Sequence, residues 1–227
     1  MSQDNCASHA VRLAVLNPNA STTMTEQVTA ALRSQAEGLP WPIALRGLTA
    51  AGGPPVVATR ASFVQGAAAA LQTWQDGDDG WADALLLACF GDPGLAALRE
   101  VSRVPVLGMA ESALSVAVSL HRPFHIITAG APWDAMLRET LQLHPGAMRW
   151  FDGITLLDTT GRAIANDPQS FLAQVQAAVD GLAARHQPTC ILGGAGFAPL
   201  LPQIRYPGTL VDGLGAALQQ LAALRLP

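Results

Sequence analysis

The sequence predicts an α/β protein of two pseudo-symmetric lobes, each a four-stranded parallel sheet flanked by helices, with a site between the lobes. Short apolar runs alternate with amphipathic stripes of helical period, the order of parallel strands joined by crossover helices. The strongest runs are unbroken, as in strands covered on both faces. The second half of the chain also echoes the first. Leu85-Leu86-Leu87-Ala88-Cys89-Phe90-Gly91 resembles Cys190-Ile191-Leu192-Gly193-Gly194-Ala195-Gly196, and Val106-Leu107-Gly108 resembles Val211-Asp212-Gly213. Both pairs are offset by 105 residues (194 − 89 and 213 − 108). A weaker likeness joins Leu13–Met24 to Phe124–Met136 at a slightly different offset.

Taken in order, Val11 to Leu16 reads as the first strand, broken by Asn17-Pro18-Asn19-Ala20-Ser21-Thr22. That break offers capping residues to a helix carrying Met24, Val28 and Leu32 on one face. Ile43 to Leu48 is the second strand, and Ala51-Gly52-Gly53-Pro54-Pro55 a loop. Phe63, Gly66, Ala67, Ala70, Leu71 and Trp74 form the next helical stripe, ended by the acidic turn Asp76 to Gly80. Leu85 to Ala88 is the third strand; Asp92 is expected to cap the helix after it, with Pro93 in its first turn and Leu95, Leu98 and Val101 on its buried face. Pro105 to Met109, Phe124 to Thr128, Ile154 to Leu157, Cys190 to Gly194 and Gly208 to Asp212 complete the strands. Helices are expected from Glu111 to Leu120, on the stripe Trp133, Met136, Leu137, Thr140, Leu141, after Asp167-Pro168, and at the Leu/Ala-rich end. Residues 1–115 are then the first lobe, with 1–10 a loose tail, 116–212 the second, and 213–227 a helix free to pack back on the first.

Composition narrows the function. Half of the 227 residues are apolar and 13% are charged, enough for a large core and too little polarity for disorder. A net charge of −4 leaves no basic footprint for nucleic acid. No run reaches membrane-spanning length, and the polar N-terminus has no apolar leader, so a cytoplasmic protein is expected. Cys6, Cys89 and Cys190 are odd in number and lack zinc-type spacing, so no metal site is indicated. Gly194-Ala195-Gly196 with Asp212 mimics a dinucleotide fingerprint, but Pro199 stands where the third glycine belongs. The expected partner is a small-molecule substrate; a homo-oligomer is left open.

Cys89 is the candidate for chemistry. It ends an apolar strand just before a predicted helix, where open α/β sheets place ligands and where the positive end of a helix favours thiolate. A buried structural cysteine is the alternative. Glu111 reads as a first-turn complement to its helix dipole, with orienting a site group as the alternative, and Asp212 as an N-cap before Gly213, with reaching the same cleft as the alternative.

Leu16-Asn17-Pro18-Asn19-Ala20-Ser21, Ala88-Cys89-Phe90-Gly91-Asp92-Pro93-Gly94-Leu95, Pro105-Val106-Leu107-Gly108-Met109-Ala110-Glu111 and Leu192-Gly193-Gly194-Ala195-Gly196-Phe197 together resemble the hydantoin racemases of the aspartate/glutamate racemase superfamily. The resemblance implies a substrate between two lobes, no metal or organic cofactor, and two cysteines that remove and return one proton beside a carbonyl from opposite faces; backbone N–H groups around Phe90-Gly91 and Ala195-Gly196 would then face the developing oxyanion. It also implies that Asn17 and, at the equivalent strand end, Thr128 bind the substrate's carbonyl or carboxylate groups; a turn-forming Asx side chain and a satisfied strand-end hydroxyl are their alternatives. The family's second cysteine stands where this chain has Gly194. Cys190 does not replace it, because it lies four residues earlier, roughly 13 Å along a strand. Three readings follow: a racemase in which Cys89 works with a water or another group beside Gly194, a single-cysteine decarboxylase of a malonate-type acid, and a binder without turnover.

Overall fold

The computed structural model describes residues 10–77 and 80–224. The expected tail, Cys6 within it, and part of the acidic turn lie outside the described residues. Two four-stranded parallel sheets carry the chain. In the first, β1 (Val11–Asn17), β2 (Ile43–Thr49), β3 (Ala84–Leu87) and β4 (Val106–Gly108) stand in the order β2-β1-β3-β4. In the second, β5 (Phe124–Ala129), β6 (Phe151–Leu157), β7 (Thr189–Leu192) and β8 (Thr209–Asp212) stand in the order β6-β5-β7-β8. The orders are the same, which is the repeat seen in the sequence expressed as topology.

Side-chain alternation along these strands builds three cores. Leu13, Val15, Leu86 and Ala88 point inward and join Phe124, Ile126, Ile191 and Val211 of the other sheet in one cluster. Ala14, Leu16, Leu85 and Leu87 point outward onto Ala70, Trp74 and Leu98, under α2 (Arg60–Gly77) and α3 (Leu95–Val101). Ile127, Cys190 and Leu192 point outward onto Val175, Val179 and Leu182 of α8 (Pro168–Ala184). Both faces of the central strands are thus covered, the physical reason their sequences are unbroken apolar runs.

The inner cluster holds the lobes together. It contains Val28 and Leu32 of α1 (Thr22–Ala36), Ala113 and Ala117 of α4 (Met109–Ser119), and Ala216 and Ala217 of α9 (Gly213–Ala223). Alanines let α4 and α9 approach closely. At their first residues the approach is closer still: a Cβ at Gly213 would lie 2.6 Å from the Met109 carbonyl oxygen. The N-terminus of α1 is capped by Ser21, whose Oγ accepts the Met24 N–H at 3.2 Å. Asp167 caps α8 in the same way through Ser170.

Several boundaries differ from expectation. The strand expected over 190–194 ends at Leu192, because the Gly193 N–H makes the last bond to β5, to Ile127 O at 2.8 Å. Gly194 then opens a 3-10 helix over Ala195–Gln203, where Pro199 and Pro202 cannot supply the N–H groups an α-helix needs. β4 stops at Gly108, and Met109 already belongs to α4. The offset is also not uniform. Leu87 pairs with Gly108 and Leu192 with Asp212, so β3 and β7 differ by 105 residues but β4 and β8 by 104 (212 − 108). Three short helices had no sequence signal long enough to read: α6 (Pro145–Met148), α7 (Gly161–Asn166) and the 3-10 segment. The helix expected on the stripe from Trp133 to Leu141, α5 (Trp133–Gln142), is present. The expected lobe boundary at residue 115 falls inside α4. Among the described residues no helix is long and apolar enough to cross a membrane.

Candidate active site

A cavity of about 390 Å³ opens between the lobes at the carboxyl ends of the strands. The first lobe lines it with Asn19, Met24, Val56 to Thr59, and Ala88-Cys89-Phe90. The second contributes Thr128 to Trp133, Asp158 to Arg162, and Gly193 to Phe197. The ends of β3 and β7 therefore meet one space, and Cys89 and Gly194 share it.

Cys89 is partly exposed and unpaired to any other cysteine among the described residues. The expectation of a thiol lowered by a helix N-terminus is overturned. α3 begins only at Leu95, and Gly94, with φ of 82°, precedes it without a side-chain cap. Burial instead pushes the Cys89 thiol well above its ordinary range, and the charge of Asp92 adds to the rise. The thiol is the resting form at neutral pH. Asp92 does not cap α3 either. Its backbone is left-handed, with φ of 55°, and its carboxylate turns away to accept the Ala110 N–H at 3.0 Å and the Glu111 N–H at 2.8 Å at the start of α4. Pro93 accordingly lies ahead of the helix.

The N–H groups of Cys89 and Phe90, and of Gly194, Ala195 and Gly196, have no hydrogen-bond partner among the described residues. Each set follows the end of an equivalent strand, and both line the cavity. Gly91 stands just behind the first set with φ of 133°, and a Cβ there would lie 2.7 Å from Trp133 Cζ3. Trp133 belongs to the other lobe, so this left-handed glycine lets the indole close over the thiol loop.

Thr128 is 3% exposed, lines the cavity, and donates its hydroxyl proton to Gly193 O at 2.6 Å. It fixes the turn before Gly194 and keeps only acceptor capacity for a ligand. Asn17 is 1% exposed and does not line the cavity. Its amide nitrogen donates to Asn19 Oδ1 and Ser21 O at 3.0 Å and to Thr25 Oγ1 at 3.1 Å, while its oxygen accepts the Asn19 N–H at 3.2 Å. These bonds present Asn19 instead, whose amide nitrogen has no partner among the described residues. The Asn-Pro-Asn spacing carried that signal, since each asparagine is equally suited to a turn. Asp158 and Arg162, the charged residues that line the cavity, stand in a loop and short helix with no readable motif.

Cys190 is fully buried in β7 against α8, and burial pushes its thiol up to about 12. It takes no part in the cavity. Asp212 also lies outside it and caps α9, accepting the Leu214 and Gly215 N–H groups at 3.0 and 2.9 Å. Glu111 forms a forked ion pair with Arg99, Oε1 lying 3.1 Å from Nη1.

Fold and cavity define a class: two-lobed α/β proteins in which equivalent strand ends from each lobe frame one cavity. The chain belongs to the Asp/Glu/Hydantoin racemase family, whose model matches residues 13–221. It is 33% identical over 150 residues to a hydantoin racemase of Rhizobium meliloti, covering 63% of this chain and 60% of that one. A hydantoin racemase of Pseudomonas sp. (strain NS671) is 30% identical over 57% of this chain and 51% of its own length. The matches thus span only 60% and 51% of these two relatives. The solved allantoin racemase from Klebsiella pneumoniae superposes with a TM-score of 0.81 and 28% identity, over 95% of this chain and 87% of that one.

Proposed function

We propose that this protein is a cofactor-independent racemase that exchanges the proton on the acidic carbon of a hydantoin-type or amino-acid-like substrate in the cytoplasm, with Cys89 as its one retained thiol. The observation that supports it best is the shared cavity: the thiol ends β3, Gly194 follows β7, and two sets of unpartnered N–H groups flank them.

The reaction divides between the two sides. The carbon–hydrogen bond breaks on the Gly194 side, where a water takes the proton. The electron pair moves onto the neighbouring carbonyl, and the N–H groups of Phe90 or Ala195 and Gly196 hold the oxyanion. The Cys89 sulfur–hydrogen bond then breaks as its proton passes to carbon from the opposite face, and solvent reprotonates the thiolate. Because burial keeps Cys89 protonated, donation is the step it performs from rest, and the reverse direction begins from its scarce thiolate.

The test is deuterium uptake at the acidic carbon of an enantiopure 5-substituted hydantoin in heavy water, read by NMR with optical rotation followed in parallel. Uptake with loss of rotation, both abolished in Cys89→Ala, is the expected result. Uptake with rotation retained replaces the two-sided scheme with a one-sided one. No uptake across several hydantoins overturns the reading, and decarboxylation of a malonate-type acid or ligand binding without turnover takes its place.

A further inference from the structure

We propose that Asp92 is the positioning residue of Cys89: clamped onto the first turn of α4, it fixes the loop that carries the sulfur, and its negative charge keeps Cys89 in the form that donates a proton. The inference rests on Cys89 as the working thiol of the proposed exchange.

Asp92 is 9% exposed and adopts a left-handed backbone that a residue with a Cβ takes only at some cost. Something must hold it there, and hydrogen bonds on both sides of it do: beside its carbonyl, which accepts the Leu95 N–H at 3.2 Å, three more bonds act. Its own N–H donates to the Cys89 carbonyl at 3.0 Å, closing a tight turn on the thiol residue. Its two carboxylate oxygens each accept an N–H of α4, from Ala110 and Glu111. The residue before α4 is Gly108, and a Cβ there would stand 2.5 Å from Asp92 Oδ2. The helix therefore has no cap of its own; the thiol loop supplies it.

The second lobe shows that this is not what the fold requires. Its equivalent helix α9 is capped by Asp212, the residue paired with Leu192 just as Gly108 is paired with Leu87. An ordinary N-cap works there. Only the lobe whose thiol stands just past the strand end moves the carboxylate out of the cap position and into the loop behind that sulfur.

The charges around Asp92 are few. Glu111 of α4 repels it, Arg99 of α3 faces it while bound to Glu111, and Cys89 lies in its own loop. Burial pushes Asp92 up to about 7 against the opposing effect of its N–H bonds, so near neutral pH it is partly ionised. In its ionised form it disfavours a thiolate at Cys89.

Iodoacetamide alkylation of the full-length protein tests this without substrate, so its failure is distinct from a failure to racemise. Peptide mass spectrometry separates Cys89 from Cys6 and Cys190. Asn tolerates the left-handed backbone and caps helices, so Asp92→Asn removes the charge and keeps one of the two acceptor oxygens that clamp the loop to α4. Alkylation of Cys89 at pH 8.5 is expected to rise above the wild-type rate, because one of the two causes that hold the thiol up is removed. Asp92→Gly also keeps the backbone and is expected to show the same rise with a lower thermal midpoint. A wild-type rate in either folded variant overturns the proposal. In the wild-type protein, the logarithm of the alkylation rate is expected to climb with a slope below one as pH passes 7, because ionising Asp92 works against the thiolate. A slope of one throughout overturns the proposal even if neither variant folds.

Discussion

Gly194→Cys puts a thiol at the position that distinguishes this chain from the two-cysteine scheme. The backbone accepts it: φ of 165° and ψ of 137° are extended values open to any residue. A Cβ there would stand 3.2 Å from Cδ2 and Cε2 of Phe197, and nothing nearer is in the way. Phe197 is 2% exposed, so its ring has to yield a few tenths of an ångström inside a packed site. Overpacking of this size costs about 1 kcal/mol. Against that small loss stands a second acid/base group, worth about 10²–10⁴-fold in rate. The assay is polarimetry on an enantiopure 5-substituted hydantoin, with the variant and wild type matched for thermal midpoint. Gly193→Cys serves as a control, because its Cβ would meet Phe90 Cε1 at 2.8 Å and Ile126 Cγ2 at 3.0 Å, and loss of stability without gain is expected there. Racemisation by a folded Gly194→Cys protein no faster than wild type would refute the opposed geometry of Cys89 and residue 194.

Thr128→Val removes the donor to Gly193 O and leaves a buried carbonyl unpaired, an expected loss of about 1–3 kcal/mol in denaturant unfolding, with exchange at the substrate carbon slowed as the Gly194 turn loosens. Asn17→Ala and Asn19→Ala are expected to separate. The first breaks a buried turn network and lowers the thermal midpoint; the second removes the acceptor of the Asn17 amide and the Ser21 N–H and so lowers it too, but it also takes away a residue that lines the cavity, and only there is KM expected to rise independently of the midpoint. His125 gives a pH signature. Burial lowers its pKa below the ordinary 6.5, opposed in part by the bond from Nδ1 to Asp152 at 3.0 Å. Its contribution to stability is therefore complete above pH 6.5 and is lost as pH falls below it, because the unfolded chain takes up the proton first. Thermal midpoints between pH 5 and 8 should fall more steeply on the acid side for wild type than for His125→Gln.

Much of the fold was legible in the sequence for one reason. Central strands buried on both faces must be apolar without interruption, and the helices that cover them must carry a stripe of matching residues. Leu85 to Leu87 and Leu13 to Leu16 announce such strands, and the likeness of Cys89 to Gly194 announces the pseudo-symmetry. Both residues do line one cavity. What local pattern could not carry was direction. Asp92 has every attribute of a cap for the helix that follows it, yet a left-handed turn at that residue sends the carboxylate to a helix that starts at Met109. Asn17 and Asn19 are chemically identical, and only packing decides that the first is consumed within its turn. The thiol's ionisation was equally undetermined, since it depends on how far the helix start lies from the sulfur and on how much water the lobes exclude. The sequence by itself determined where the central strands run; the tertiary structure decided where they stop, which partners the residues beyond them take and which of those residues line the cavity, because these depend on surfaces contributed by residues distant in the chain.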